Sequence, residues 1–278
     1  MTRYNLVMKF DGRGFAQEIE RVLKQKMSSI QGRPKIVSVL VGDDPASVLY
    51  TRLKKEAAER IGIDFEVVRL EEKEHTASNL QRQIREIGAN NEVTGLMVQL
   101  PIADLQGQAL QEVLEAIPLN KDVDGLRYPE SKVIPPVVEA VLKILEKISE
   151  TKELKELKYV VIGAKGFVGS AVCLELEKQG KTVIKVDSDT TDPARSILEG
   201  DVIISCTGKE GMVIGDMVRD GSIVIDVGAP RGDMTQEVYQ KASVSVEVPG
   251  GVGPVTIACL MQNAVEIYGK KFISRSGT

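Results

Sequence analysis

Apolar positions along this chain recur with two alternating periods, and the alternation runs from one end to the other. Between residues 13 and 29, Phe15, Ile19, Val22, Leu23 and Met27 fall at the spacing of one helix face. Ile36-Val37-Ser38-Val39-Leu40-Val41 is a short apolar, largely β-branched run and predicts a buried strand. Gly42-Asp43-Asp44-Pro45 then turns the chain. Asp44 is placed to cap a helix over 45–61, with Pro45 at the first helical position, where its missing N–H costs nothing, and Gly62 as the stop. Residues 65–70 alternate as a strand, 77–89 form an amphipathic helix, and 94–101 read as a buried strand running into Gln99, Leu100 and Pro101. Another helix covers 105–117. The proline-rich stretch 129–136 reads as a linker, and Val137, Val138, Val141, Ile144, Leu145 and Ile148 mark a long helix beyond it.

The second half opens with the strand Tyr159-Val160-Val161-Ile162, the turn Gly163-Ala164-Lys165-Gly166-Phe167-Val168-Gly169, and a helix to about Gln179. In that geometry, backbone N–H groups and a helix N-terminus hold a pyrophosphate. The glycines are spaced G-x-x-G-x-x-G, not G-x-G-x-x-G, so the context carries much of the inference. Residues 182–186 form the next strand, and Asp187 ends it about 20 residues past the turn, where a ribose-binding acid belongs. Two further buried strands run into Cys206-Thr207-Gly208 and into Asp226-Val227-Gly228. Residues 248–256 are a glycine-dense loop, either a hinge or a place where backbone approaches a cofactor ring, leading into a last helix over 255–268. These patterns predict an α/β protein of two lobes. The first comprises 1–126 closed by 255–278; the second, 137–254, is a doubly wound, Rossmann-type NAD(P)-binding domain. A cleft between the lobes is the expected place for substrate and cofactor.

Composition narrows the partners. With 36 basic and 40 acidic residues, a net charge of −4 and no long basic run, nucleic acid is excluded as an expectation. No stretch reaches the length of a membrane helix, and residues 1–14 lack the apolar core of a secretory leader, so a soluble cytoplasmic protein with no membrane partner is expected. Cys173, Cys206 and Cys259 are far apart in apolar segments and read as reduced core residues, with no metal site. The single histidine, His75, sits among charged residues, which removes histidine-based triads and the common zinc sites from consideration.

The candidate chemistry lies elsewhere. Tyr50 and Lys54 stand four apart on the helix after the first buried strand, which puts a phenol and an amine on one face near a strand end. The pair is either a stacking plate beside a proton carrier or a core tyrosine beside a solvated lysine. Gln99 is a polar amide at the end of a buried strand and needs a partner, in the core or in a site. Asp122 and Asp124 flank a turn ending at Gly125 and serve either that turn or the N–H donors of a bound heterocycle.

Taken in order, these segments identify a family. The chain resembles the bifunctional methylenetetrahydrofolate dehydrogenase/methenyltetrahydrofolate cyclohydrolases over nearly its whole length. The resemblance rests on Val41 to Ser47 leading to Tyr50 and Lys54, Gly95 through Gln99-Leu100-Pro101, Lys121-Asp122-Val123-Asp124-Gly125, Ile225 to Gly228, and Pro249 to Pro254 before Thr256. It implies that Lys54 transfers protons in the cyclohydrolase step, Tyr50 stacks on the folate, Gln99 hydrogen-bonds and tunes Lys54, and Asp124 anchors the pterin. Leu100, Pro101, Pro254 and Thr256 complete the implied substrate set. The implied cofactor set is Gly163, Ala164, Lys165, Gly166, Gly169, Asp187, Ser188, Thr207, Gly208, Gly228, Gly250, Gly251 and Val252, with Gly250 to Val252 lining the nicotinamide. It also implies one-carbon metabolism on tetrahydrofolate derivatives, NADP as the usual cofactor, and a homodimer.

The chain departs from the family pattern where the cofactor is read. A Gly-Arg-Ser turn appears as Gly163-Ala164-Lys165, and Cys-His-Ser appears as Val186-Asp187-Ser188. The arginine and serine that meet a 2′-phosphate are absent, and a carboxylate at 187 repels that phosphate while accepting hydrogen bonds from a free 2′-hydroxyl, so the chemistry leans to NAD. Lys165 offers NADP a partial rescue. The Pro-Cys-Thr-Pro segment reads Val133-Ile134-Pro135-Pro136, and the loops after Gly125 and Gly228 are shortened. A monofunctional dehydrogenase or cyclohydrolase, and a non-catalytic nucleotide-binding homologue, are the alternatives.

Overall fold

The computed structural model describes residues 7–71, 76–103, 105–154 and 156–275. His75 lies outside the described residues. The first described elements are β1 (Met8–Lys9) and α1 (Gly12–Ser28), and the chain divides into two compact units.

One unit contains Gln17–Pro136 and the chain from Ile257 onward. Its parallel sheet has β2 (Lys35–Val41) in the centre, with β3 (Asp64–Leu70) and β4 (Gly95–Val98) on either side. Between them run α2 (Pro45–Ile61) and α3 (Ala77–Ala89), and α4 (Gly107–Leu114) follows β4. Successive residues of a strand face opposite sides, so β2 feeds two cores. Ile36 packs with Met97, with Ala57, Ala58 and Ile61 of α2, and with Leu260, Met261 and Ala264. Val37, Val39 and Val41 pack with Leu96, Val98, Leu80, Ile84 and Val113. The ends of α2 follow its sequence. Asp44 accepts from the Ser47 N–H at 2.8 Å, and Gly62 takes φ 91°, its N–H reaching Ala58 O at 3.0 Å.

The other unit holds the segment ending at Ala16 and Val137–Thr256. After α5 (Pro136–Ser149) come β5 (Lys158–Ile162), α6 (Phe167–Lys178), β6 (Thr182–Val186), α7 (Pro193–Leu198), β7 (Val202–Ser205), β8 (Ile223–Asp226), α8 (Gln236–Lys241) and β9 (Val244–Val246). The sheet is parallel throughout, in the order β1-β9-β8-β7-β5-β6. The winding direction reverses between β5 and β7, and the crevice beyond the C-terminal ends of those two strands is where such sheets bind ligands.

Three features differ from the sequence expectation. The segment before Gln17 packs with the dinucleotide-type unit, not with the first lobe, because β1 adds an edge strand to β9 through Met8 N–Ser243 O (3.0 Å) and Phe10 N–Ser245 O (2.9 Å). The last helix, α9 (Val252–Arg275), starts inside the stretch expected to be loop. A proline is tolerated there because first-turn N–H groups have no intrahelical acceptor. Residues 129–136 are also more than a linker. Just ahead of them, Arg127 donates to Glu115 O (3.0 Å) and Ile117 O (2.9 Å) and pairs with Glu130, so the chain is tied down as it leaves the turn.

Candidate active site

Buried positions on α2 run Ser47, Thr51, Lys54, Ala57, Ala58 and Ile61, a helical stripe in which a lysine occupies one core position. Its amine meets residues of β4 and its extension. Met97 and Gln99 are two apart and share a sheet face, and Lys54 Nζ donates to Gln99 Oε1 at 3.1 Å with Met97 Sδ at 3.9 Å. Gln99 Nε2 donates to Leu100 O at 2.8 Å, which fixes the amide so that its oxygen is turned to the lysine. Asp124 Oδ2 lies 3.6 Å from Lys54 Nζ, an ion pair longer than a hydrogen bond, with side-chain exposures of only 10% and 17%. Tyr50, one turn before Lys54, is half-buried, and burial raises its phenol above the ordinary value.

The two aspartates of the turn divide their work. Asp122 is fully buried and accepts from Leu126 N–H (2.9 Å) and Arg127 N–H (2.8 Å), so it builds the turn, and burial pushes its carboxyl upward. Neighbouring Lys121 is buried as well. It donates to Gly88 O and Asn90 O, each at 2.7 Å, and so closes the C-terminal end of α3. Both residues hold Asp124 in place while it faces Lys54. Leu100 is half-buried and Pro101 exposed at the end of the same strand. Pro254 and Thr256 belong to the first turns of α9 in the other unit, where Thr256 Oγ1 donates to Val252 O at 3.0 Å.

In the dinucleotide-type unit the glycine turn sits at the switch point. Gly163 takes φ 84°, and a Cβ there would lie 2.7 Å from Cys206 O, so the turn after β5 passes directly over the end of β7 and brings Gly163 beside Cys206-Thr207. A Cβ on Gly169 would lie 2.2 Å from Gly163 O, which lets only glycine bring α6 this close. Gly166 caps α6 with no side-chain bond, leaving the first-turn N–H groups open to an anion. The residues therefore fit a dinucleotide pyrophosphate.

Beyond β6, Lys165 pairs with Asp189 and stands 3.6 Å from Asp187 Oδ1. Asp187 Oδ1 also accepts from Asp189 N–H at 2.9 Å, and Ser188 Oγ donates to Asp189 at 3.2 Å. Lys165 holds Asp189 below the usual carboxylate range. Sequence reasoning missed Asp189; its signal was a second acid two residues after the expected one. It also missed a buried carboxylate pair. Asp226 accepts from the N–H groups of Gly228 (2.8 Å), Asp233 (3.0 Å) and Met234 (2.9 Å) and from Tyr239 OH (2.6 Å), while Asp233 accepts from Ser205 Oγ (2.8 Å) and Thr207 N–H (2.7 Å). That lattice shapes the loop through Gly228 and ties it to Thr207. Tyr239 is pushed far upward by its burial and by donating to Asp226.

Among the described residues no group of His, Cys, Asp or Glu side chains is arranged to hold a metal ion, and no helix is long and apolar enough to cross a membrane.

A parallel, doubly wound sheet with a glycine cradle at its reversal, joined in one chain to an α/β unit with a buried lysine, defines a two-domain NAD(P)-binding enzyme. The tetrahydrofolate dehydrogenase/cyclohydrolase catalytic-domain model matches residues 10–124 and the corresponding NAD(P)-binding-domain model residues 135–272. The chain belongs to the tetrahydrofolate dehydrogenase/cyclohydrolase family. It is 35% identical over 284 residues to the bifunctional protein FolD of an Exiguobacterium species, covering 95% of this chain and 100% of that one. The crystal structure of the bifunctional FolD enzyme from Campylobacter jejuni is similar at TM-score 0.86 and 32% identity over 95% of this chain and 99% of that chain. The Trypanosoma brucei dehydrogenase-cyclohydrolase, crystallised with NADP cofactor and inhibitor, gives TM-score 0.85 at 27% identity, covering 96% and 98%.

Proposed function

We propose that this chain oxidises 5,10-methylenetetrahydrofolate to 5,10-methenyltetrahydrofolate with NAD(P)+ and then hydrolyses the methenyl compound to 10-formyltetrahydrofolate. The observation that carries the reading is the lysine centre in the family's catalytic unit: Lys54 Nζ between Gln99 Oε1 and Asp124 Oδ2, one turn from Tyr50.

Bound NAD(P)+ supplies the hydride acceptor, and the folate nitrogens supply the electron push, so the oxidation needs no protein acid or base. The chain's own work in that step is to hold flat rings and exclude water. Tyr50 offers an aromatic plate. Asp124 keeps acceptor capacity for pterin N–H donors because its contact with Lys54 is longer than a hydrogen bond. Gly163, Gly166 and Gly169 hold the pyrophosphate, Thr207, Gly208 and Gly228 flank it, and Gly250 to Val252 line the nicotinamide.

Hydrolysis does need a proton carrier. Water adds to the methenyl carbon and loses a proton, the carbon–N5 bond breaks as N5 takes a proton, and the remaining hydroxyl proton leaves as the formyl C=O forms, so one proton is released overall. Lys54 Nζ takes the proton from water and returns one to N5, oriented by two acceptors that restrict its position. Its buried place on α2 keeps it beside Tyr50 and out of bulk water.

The cofactor reading is NAD. Lys165, the one cation of the glycine turn, is already engaged by Asp187 and Asp189, which leaves two carboxylates against one ammonium where a 2′-phosphate would sit. The family resemblance further supports a homodimer and a cytoplasmic enzyme, the first testable by light scattering of the purified chain.

The test is to supply the purified protein with 5,10-methylenetetrahydrofolate and NAD+ or NADP+, following reduced nicotinamide, and separately to follow decay of the methenyl chromophore. Both rates above the uncatalysed ones support the proposal. Cofactor and folate binding without either rate would sink it.

A further inference from the structure

The segment expected to belong to the first lobe lies instead against the glycine loop that ends in α9, and its contacts are specific. β1 runs parallel to β9, with Met8 opposite Val244 and Lys9 opposite Ser245. Lys9 Nζ donates to Glu247 Oε2 at 2.5 Å, and the other carboxylate oxygen accepts from Ser245 Oγ at 2.9 Å. Asp11 Oδ1 accepts from Gly14 N–H at 3.0 Å, which starts α1 at Gly12. There the backbone meets the loop: a Cβ on Gly12 would lie 2.0 Å from Gly251 O and 2.5 Å from Gly250 O. The loop is pinned on its own side too, Gly251 N–H donating to Glu247 O at 2.9 Å.

We propose that residues 8–14 are a clamp that sets the position of the nicotinamide-facing loop, with Gly12 as the positioning residue and the Lys9–Glu247 pair as its latch. The inference rests on the reading that Gly250 to Val252 line the nicotinamide. The positive end of α1 faces two loop carbonyls, which favours their present orientation. The peptide bond between Gly251 and Val252 is planar and trans, so a carbonyl held toward Gly12 turns the Val252 N–H the opposite way. That N–H is a first-turn donor of α9 without an intrahelical acceptor, available to a ligand on the far side of the loop from the clamp. Any side chain at position 12 must push the loop carbonyls away and re-aim that donor.

The clamp acts on the nicotinamide end of the cofactor and not on the adenosine end, and binding separates the two. In the full-length Gly12→Ala variant, affinity for NADH is expected to fall about tenfold or more while affinity for ADP-ribose, which lacks the nicotinamide, stays within about twofold. Both are read by titration calorimetry, with circular dichroism checking the fold. Hydride transfer should lose in KM for the cofactor, and methenyl hydrolysis should be unchanged. Equal affinities for both ligands before and after the substitution, or equal losses for both, would overturn the clamp. Should Gly12→Ala not fold, the paired Lys9→Met and Glu247→Gln variants take its place. A selective loss of NADH affinity in them supports the clamp, and no selective loss refutes it. Gly251→Ala, in the loop itself, distinguishes the two layers of the inference. If it spares NADH binding, the nicotinamide reading of the loop fails and the clamp with it; if it weakens NADH selectively while Gly12→Ala does not, only the clamp fails.

Discussion

Replacing Asp187 with serine tests how this chain selects its cofactor. Asp187 has 18% of its side chain exposed at the end of β6, with Lys165 Nζ 3.6 Å away and also paired to Asp189. A 2′-phosphate brought to about 4 Å from the Asp187 carboxylate meets a repulsion of about 1 kcal/mol per unit charge in water and about 4 kcal/mol at an effective dielectric of 20. A partly buried site lies between those limits, and salt reduces the effect further. Losing the carboxylate also weakens the bond to a free 2′-hydroxyl, worth about 1.5–3 kcal/mol for a charged acceptor. Both changes move the same ratio. In Asp187→Ser, the ratio of kcat/KM for NADP+ to that for NAD+ is expected to rise by about 10- to 1000-fold, each tenfold corresponding to about 1.4 kcal/mol. Initial rates with saturating methylenetetrahydrofolate and each cofactor varied in turn measure it. Adding Asp189→Asn frees Lys165 for the phosphate and should raise the ratio again. An unmoved ratio, with NAD+ used as well as before, would refute the electrostatic argument.

Three further substitutions probe other contacts. Gln99→Leu removes the acceptor for Lys54 at nearly the same volume. It should slow methenyl hydrolysis by about 10- to 100-fold, the equivalent of one charge-assisted hydrogen bond, with a much smaller effect on hydride transfer. Tyr239→Phe takes one of four donors from the buried Asp226 carboxylate and should cost about 1–3 kcal/mol, read as a lower urea midpoint with unchanged slope. Gly169→Ala forces a methyl group to 2.2 Å from Gly163 O. The same urea titration should register about 1–3 kcal/mol of destabilisation, and ADP-ribose should bind more weakly because the pyrophosphate cradle is pried open.

Local chemistry made some of the molecule legible in sequence. α2 carries a cap, a proline, a buried stripe and a glycine stop, and each does in the fold what its residue type dictates. β5 and α6 are similarly fixed by a valine-rich run and the glycines after it. Short elements carried no such signal. α7 and α8 have six residues each, β9 has three and β1 two, too few for a period to emerge. β1 also depends on a partner more than 230 residues away, and only the sheet reveals it. The start of α9 was hidden because Gly-Gly-Val-Gly-Pro has a loop's composition, while the first turn of a helix tolerates that composition well.

The candidate site divides the same way. Tyr50 and Lys54 share a face by helical geometry alone. That the lysine is buried, and that Gln99 and Asp124 from 45 and 70 positions onward meet it, is tertiary information. The resemblance to a family supplied those residues before the fold did. Asp233 had neither aid, and Asp226, though inside the segment Ile225 to Gly228 that carried the resemblance, was given no role by it; a strand-ending aspartate and a turn aspartate look ordinary until six donors to them are traced.

On the proposed reading, the Lys54 amine carries the proton in hydrolysis and none in hydride transfer. Lys54→Met keeps the length and the apolar stem, and one preparation serves for both rates. In this variant methenyl hydrolysis is expected to fall by about 10²- to 10⁴-fold, the usual share of a general acid–base group, while reduced-cofactor formation stays within about tenfold of the parent. Hydrolysis surviving the substitution at the parent rate would contradict it.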